Sequence, residues 1–271
     1  MWPLLCNKNN IQEIMDDLTI AIIGPYNQRS INNIVNYKKY CKHILVSTWS
    51  DMYTDEVEAF KKNIENHKDI TLYQAESPSR NDIVHPMFKY YPTLLPQVKG
   101  ILLAAKACKT KYMIRTRSDA SFSDLSRMII RFSKHHLDTV VSSSVAWRIN
   151  YNNRPFHMGD HCFITDTETI IKVYQDFYNI RTKVHKSNTR HQFLDACEEY
   201  LYYFFRKHNR IPVPINVHHL GKFVVSISGG TYNNHNYSDF QRRFTDIFDD
   251  YYNNDDIITW KEHTSKFGFN E

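Results

Sequence analysis

The six residues Leu18-Thr19-Ile20-Ala21-Ile22-Ile23 carry one hydroxyl and no charge. A run that is apolar at nearly every position, not at alternate ones, suits a strand covered on both faces, as in a parallel sheet between helix layers. Two further segments repeat the pattern: His43-Ile44-Leu45-Val46-Ser47, and the apolar Tyr112-Met113-Ile114 inside Lys111–Phe122. Helices are expected between and after them, over 30–40 with Ser30 as cap, 54–66, 94–108, 123–136, from Asp166 or Thr167 to about 178, and 191–209. In the helix over 94–108, Leu94, Val98, Ile101, Leu102 and Ala105 share one face. Strands are also expected at 70–73, 139–143 and 161–165. An edge-type extended segment is expected at 211–217, where Pro212 and Pro214 cannot donate to a ladder. Strands alternating with helices make βαβ units and a mainly parallel sheet. The expected fold is α/β, a single domain over 1–271 with a short helical lead-in, a less regular C-terminal half and an aromatic, charged helical tail over 237–271.

With 271 residues the chain is long enough for a substantial core. Its formal charge of +5 is mild: it suits an anionic ligand and, with no basic run, gives no reason to expect nucleic acid as a partner. Five cysteines, at 6, 41, 108, 162 and 197, are odd in number, widely spaced and without Cys-x-x-Cys, so a disulfide scaffold or zinc ribbon is not expected. No apolar run reaches the ~18 residues of a membrane span, and the start is too short in apolar residues for a signal peptide. The expectation is a cytoplasmic protein, bacterial or in a host cell if viral, with peripheral membrane attachment left open. Oligomeric state is not legible.

Chemistry concentrates where strands end. In an open α/β sheet, ligands bind outside the carboxyl ends of the strands. The strand at 112–114 runs directly into Arg115, Arg117, Ser118 and Asp119. A carboxylate between guanidinium groups suits a divalent metal together with a phosphate, and it equally suits a turn or helix cap. Seven glycines, no Gly-x-Gly-x-x-Gly and no Walker loop argue against a dinucleotide oxidoreductase or a P-loop NTPase. Phosphate would then be held by Arg and metal. At the second strand end, Thr48, Trp49 and Ser50 offer hydroxyls for a ribose and a ring for a base, or an ordinary turn with a core Trp. The long segment 75–93, with three prolines and Arg80, reads as a functional loop or a surface excursion. Asp160 offers a general base or a cap. Glu198, beside Glu199 on an aromatic helix, faces the pocket or solvent. Of the adjacent His218 and His219, strand geometry lets only one join Asp119 on a metal; a structural role is the alternative.

The segments Ile20–Pro25, Ser47-Thr48-Trp49-Ser50-Asp51 and Lys111-Tyr112-Met113-Ile114-Arg115-Thr116-Arg117-Ser118-Asp119 resemble the WavE-type lipopolysaccharide synthesis proteins. Gln97 and Gly100 in the intervening helix and the segment His157–Phe163 extend the resemblance, though His161-Cys162 departs from it; it covers about residues 18–220. It implies a GT-A-like αβα sandwich acting as a glycosyltransferase on a nucleotide-sugar, with a glycan or lipid-linked acceptor. Residues 18–122 would hold the donor and 123–236 the acceptor. The implied donor contacts are Pro25, Tyr26, Thr48, Trp49, Ser50, Arg80, Gln97, Arg115, Arg117 and Ser118. Asp160, as base, and Glu198, from its place on the aromatic helix, are the expected catalytic carboxylates. Asp119 is the implied ligand of Mn²⁺ or Mg²⁺, with His218 the further candidate from the residues, although Arg117 stands where the first Asp of the fold's usual Asp-x-Asp would be. The rivals are a nucleotidyltransferase, which would usually bring a glycine-rich loop after its first strand, and an inactive nucleotide- or carbohydrate-binding module.

Overall fold

The computed structural model describes residues 8–25, 28–51, 54–65, 67–79, 94–135, 138–145, 158–180, 196–227 and 230–235. The strands are β1 (Leu18–Ile23), β2 (His43–Trp49), β3 (Ile70–Ala75), β4 (Tyr112–Arg117), β5 (Ser121–Phe122), β6 (Thr139–Ser143), β7 (Cys162–Asp166), β8 (Ile211–Ile215), β9 (Phe223–Ile227) and β10 (Gly230–Asn233). The helices are α1 (Lys8–Asp16), α2 (Gln28–Tyr37), α3 (Thr54–Ile64), α4 (Leu94–Ala107), α5 (Ser126–His135), α6 (Thr167–Ile180) and α7 (Ala196–Lys207).

Seven strands form one sheet in the order β3-β2-β1-β4-β7-β6-β8, and β9 joins β10 and β5 in a small second sheet. In the large sheet only β7 runs antiparallel to its neighbours, β4 and β6. β8 is an edge strand, as its two prolines require. Alternate residues of each strand serve opposite layers. Leu18, Ile20 and Ile22 pack with Ile34, Tyr37, Phe60, Met128 and Phe132 of α2, α3 and α5. Ala21, Ile23 and Met113 pack with Val98, Ile101, Val173 and Phe205 of α4, α6 and α7. The expected αβα sandwich with a mainly parallel sheet is therefore the observed architecture.

Two expectations change. His218 and His219 lie in a 3-10 turn (Val217–Leu220), not on a strand, because Asn216 Oδ1 caps it by accepting from the His218 N–H. The helix expected from 123 begins at Ser126, since Ser121 and Phe122 pair with β9. Asp166 does cap α6, accepting from the Thr169 N–H at 2.8 Å. The expected tail over 237–271 lies outside the described residues.

One device of α2 positions the strand-end turn. Arg29, Asn33 and Asn36, at helical spacing, share a face. They donate to the carbonyl oxygens of Asp119 (2.5 Å), Ala120 (2.7 Å) and Phe122 (2.8 Å), respectively. Asn33 is buried. Asn33→Ala is expected to destabilise the protein by about 1–3 kcal/mol, the cost of leaving the Ala120 carbonyl unpaired in the interior. Urea titration of the two proteins measures this directly; a change below about 0.5 kcal/mol would mean another group satisfies that carbonyl.

Candidate active site at the strand ends

After β4 the chain turns, the Ala120 N–H donating to the Arg117 carbonyl at 3.1 Å. The Arg117 N–H donates to the His161 carbonyl and the Ser118 N–H to the Ile23 carbonyl, so this turn is tied to both neighbouring strands. Gly24 ends β1 with φ +137°. A Cβ there would lie 2.5 Å from Ser118 Oγ, so glycine is needed both for the dihedral and for the close approach.

Arg115 and Arg117, two apart in β4, face the α4 layer. Arg115 is 1% exposed. Its guanidinium carbon lies 5.9 Å from the Phe163 ring centroid, and Nη1 is 3.8 Å from Asp160 Oδ2. That is an ion contact and not a hydrogen bond; its Nε and Nη1 are buried without a hydrogen-bond partner. Arg117 forks onto Asp119, Nε to Oδ1 at 2.8 Å and Nη2 to Oδ2 at 2.6 Å, while its Nη1 stands 3.7 Å from Asp160 Oδ1. Gln97, in the first turn of α4, donates to Asp160 Oδ2 at 2.5 Å. The structure thus brings together Gln97, Arg115, Arg117, Ser118, Asp119 and Asp160 at the end of β4.

Burial would raise the Asp160 carboxyl, but the charges of Arg117 and Arg115 and the Gln97 hydrogen bond hold it well below the usual carboxylate range. A general base works best with a pKa near the working pH. Asp160 stands as a counter-ion between Arg115 and Arg117. Asp119 is held low in the same way, burial opposed chiefly by the Arg117 hydrogen bonds and charge.

His161 is the participant the sequence reading did not single out. It is 3% exposed. Its Nε2 lies 2.9 Å from the Ser226 carbonyl, which can only accept, so Nε2 carries the proton. Nδ1 lies 3.3 Å from Asp160 Oδ1. Burial lowers the His161 pKa despite the Asp160 charge beside it. A histidine depressed in the fold is neutral there while the unfolded chain takes up a proton below about pH 6.5. Its contribution to stability is present above that pH and is lost as pH falls toward the folded value. His161→Gln is expected to flatten the fall in stability just below pH 6.5, read from denaturant midpoints; an unchanged slope would mean that His161 is charged in the fold.

The other expected residues are placed as follows. Thr48 is buried with its Oγ1 lacking a hydrogen-bond partner. Trp49 is 7% exposed, and a Cβ on Gly100 would meet its ring at 3.3 Å, so the indole packs between β2 and α4 and does not offer an open face for a base. Ser50 is exposed, its N–H donating to the Ala75 carbonyl at 2.9 Å, and Pro25 is exposed beside Gly24. His218 sits edge-on to Phe223, 5.5 Å between ring centroids. Tyr26, Arg80 and the side chain of Glu198 lie outside the described residues.

A divalent metal fits these residues poorly. Both Asp119 oxygens accept from Arg117. Among the described residues, no group of three or more His, Cys, Asp or Glu side chains could hold a metal ion. Nor is any described helix long and apolar enough to cross a membrane.

No protein-family model matches the sequence, and no curated protein matches it. Solved structures with a similar course of the chain include a protein of Bacillus anthracis described as a glucose-1-phosphate thymidylyltransferase, in complex with sucrose. It is 10% identical, with TM-score 0.43, covering 84% of this chain and 95% of that one. Residues 1–349 of S. aureus TarS match at 14% identity and TM-score 0.41, covering 68% of this chain and 55% of that one. The glycosyltransferase GlyE of Streptococcus pneumoniae TIGR4 matches at 10% identity and TM-score 0.40, covering 74% and 45%. The chain thus spans about half the length of the latter two. At these scores the functional reading stands on the site itself.

Proposed function

We propose that the chain is a GT-A-like glycosyltransferase that binds the diphosphate of a nucleotide-sugar at the end of β4. The observation that carries this reading is Arg115: a buried guanidinium with two nitrogens lacking a hydrogen-bond acceptor, beside the forked Arg117, at the carboxyl edge of a parallel sheet. An unpaired buried donor is costly, and an anionic oxygen satisfies it with a charge-assisted bond. Resemblance of the β1, β2 and β4 segments to WavE-type proteins supports a sugar as the transferred group, in polysaccharide, lipopolysaccharide or glycoprotein glycan synthesis.

In the reaction an acceptor hydroxyl oxygen bonds to the anomeric carbon. The bond from that carbon to the diphosphate oxygen breaks, its electron pair leaving with the nucleoside diphosphate, and the hydroxyl proton passes to solvent or a base. The guanidinium groups would stabilise the charge that develops on the leaving oxygen. Asp160 holds Arg115 and Arg117 in place, and Gln97 fixes Asp160. The metal-assisted form of this reading asks Asp119 to release Arg117 first.

One observation favours a second reading. With Asp160 engaged as a counter-ion, the expected base is committed elsewhere, which also fits a nucleotide-sugar-binding module without turnover. Calorimetric titration with UDP, GDP, CDP and dTDP tests the shared premise. One of them is expected to bind, and Arg117→Ala to weaken it about tenfold or more. No heat from any of the four would remove the nucleotide site altogether.

A further inference from the structure

The residues of the site and the metal expected there disagree, and the disagreement has a direction. We propose that Arg115 and Arg117 neutralise the leaving diphosphate in place of a divalent metal, so that donor binding and turnover need no metal; this rests on the nucleotide-sugar reading above.

Three observations carry it. First, Arg117 occupies both oxygens of Asp119 at 2.6–2.8 Å. A metal on that carboxylate would have to displace two charge-assisted hydrogen bonds. Second, three guanidinium groups, those of Arg29, Arg115 and Arg117, lie against the turn and its two carboxylates, Asp119 and Asp160. Three guanidinium groups against two carboxylates leave an excess of positive charge, which attracts a diphosphate and repels a cation. Third, Arg115 keeps Nε and Nη1 without a hydrogen-bond partner although it is almost wholly buried. Donors held ready in that way match phosphate oxygens; a metal ion would leave them unsatisfied.

The Nε and Nη2 edge of Arg117 stays on Asp119, which fixes the plane of the guanidinium, and its Nη1 stands 3.7 Å from Asp160 Oδ1. Bond breaking at the anomeric carbon places the electron pair on the diphosphate oxygen, and the two guanidinium groups take up that charge by hydrogen bonding. No oxidant, reductant or further reactant enters.

The test uses the wild-type protein. The nucleoside diphosphate that binds best among UDP, GDP, CDP and dTDP is titrated in excess EDTA, then with Mn²⁺ or Mg²⁺ in place of EDTA. The expected affinities agree within about twofold. Arg115→Met is expected to weaken binding in EDTA by roughly tenfold to a hundredfold. Asp119→Asn is expected to keep binding in EDTA, because the cluster loses one negative charge while the amide oxygen still accepts from Arg117. If that nucleotide binds only when metal is present, or Asp119→Asn abolishes binding, the metal-free account is overturned while the transferase reading survives. If no nucleotide binds under either condition, both fall.

Discussion

Asp160→Ala is expected to lower the melting temperature by roughly 6–20 °C. The carboxylate stands between Arg115, 1% exposed, and Arg117, and it accepts from Gln97. Removing one partner of a buried pair leaves an uncompensated charge and costs about 3–5 kcal/mol. For a domain of this size each kcal/mol is worth about 2–4 °C. The cost belongs to the stranded guanidinium and not to the lost methylene. Arg115→Met in the same background should therefore restore much of the loss, since an apolar side chain fits beside Phe163. Thermal unfolding of the two single variants and the double variant measures this. If Asp160→Ala melts within a degree or two of the wild type, Arg115 has another counter-ion and the site's electrostatics are misassigned.

Gly24→Ala should be nearly as severe, for a steric reason. The dihedral of +137° is one that L side chains rarely adopt, and the added methyl would meet Ser118 Oγ at 2.5 Å. Backbone strain of this kind costs about 1–3 kcal/mol, with the clash added to it. Because Ser118 is tied to the Ile23 carbonyl, relief by moving the turn would also move Arg117 and Asp119. Both stability and nucleotide affinity should fall. The double variant Gly24→Ala, Ser118→Gly removes the clash and keeps the dihedral, so it should recover part of the stability. Full recovery would show that the dihedral costs nothing; no recovery would show that the clash never mattered.

Much of the sheet was legible in the sequence, because β1, β2 and β4 are buried on both faces and read as continuous apolar runs. The direction of β7 was not. Cys162-Phe163-Ile164 is apolar either way round, and periodicity carries no sense of direction. The β9–β10 hairpin escaped notice although Gly229-Gly230 is a turn signal after the apolar run Phe223-Val224-Val225. In the site, the grouping of Arg115, Arg117 and Asp119 followed from the strand register alone. The contact of Gln97 with Asp160 brings together residues far apart in the chain, and no local pattern contains it. Trp49 shows the limit most plainly: a ring at a strand end reads the same whether it faces a ligand or packs on Gly100. The Arg29, Asn33 and Asn36 stripe was present in the spacing, but a polar helix face ordinarily points to solvent. Only the fold shows that it supports the turn.

The measurement closest to the central claim is release of nucleoside diphosphate from a panel of UDP-, GDP-, CMP- and dTDP-sugars (nucleoside monophosphate for the CMP-sugars), with the wild type compared to Arg117→Ala. The account predicts release from one nucleotide class by the wild type, by transfer or slow hydrolysis, and its loss in the variant with the fold retained. Tight binding of a nucleotide with no release from any donor would contradict the transferase and leave a binding module at the end of β4.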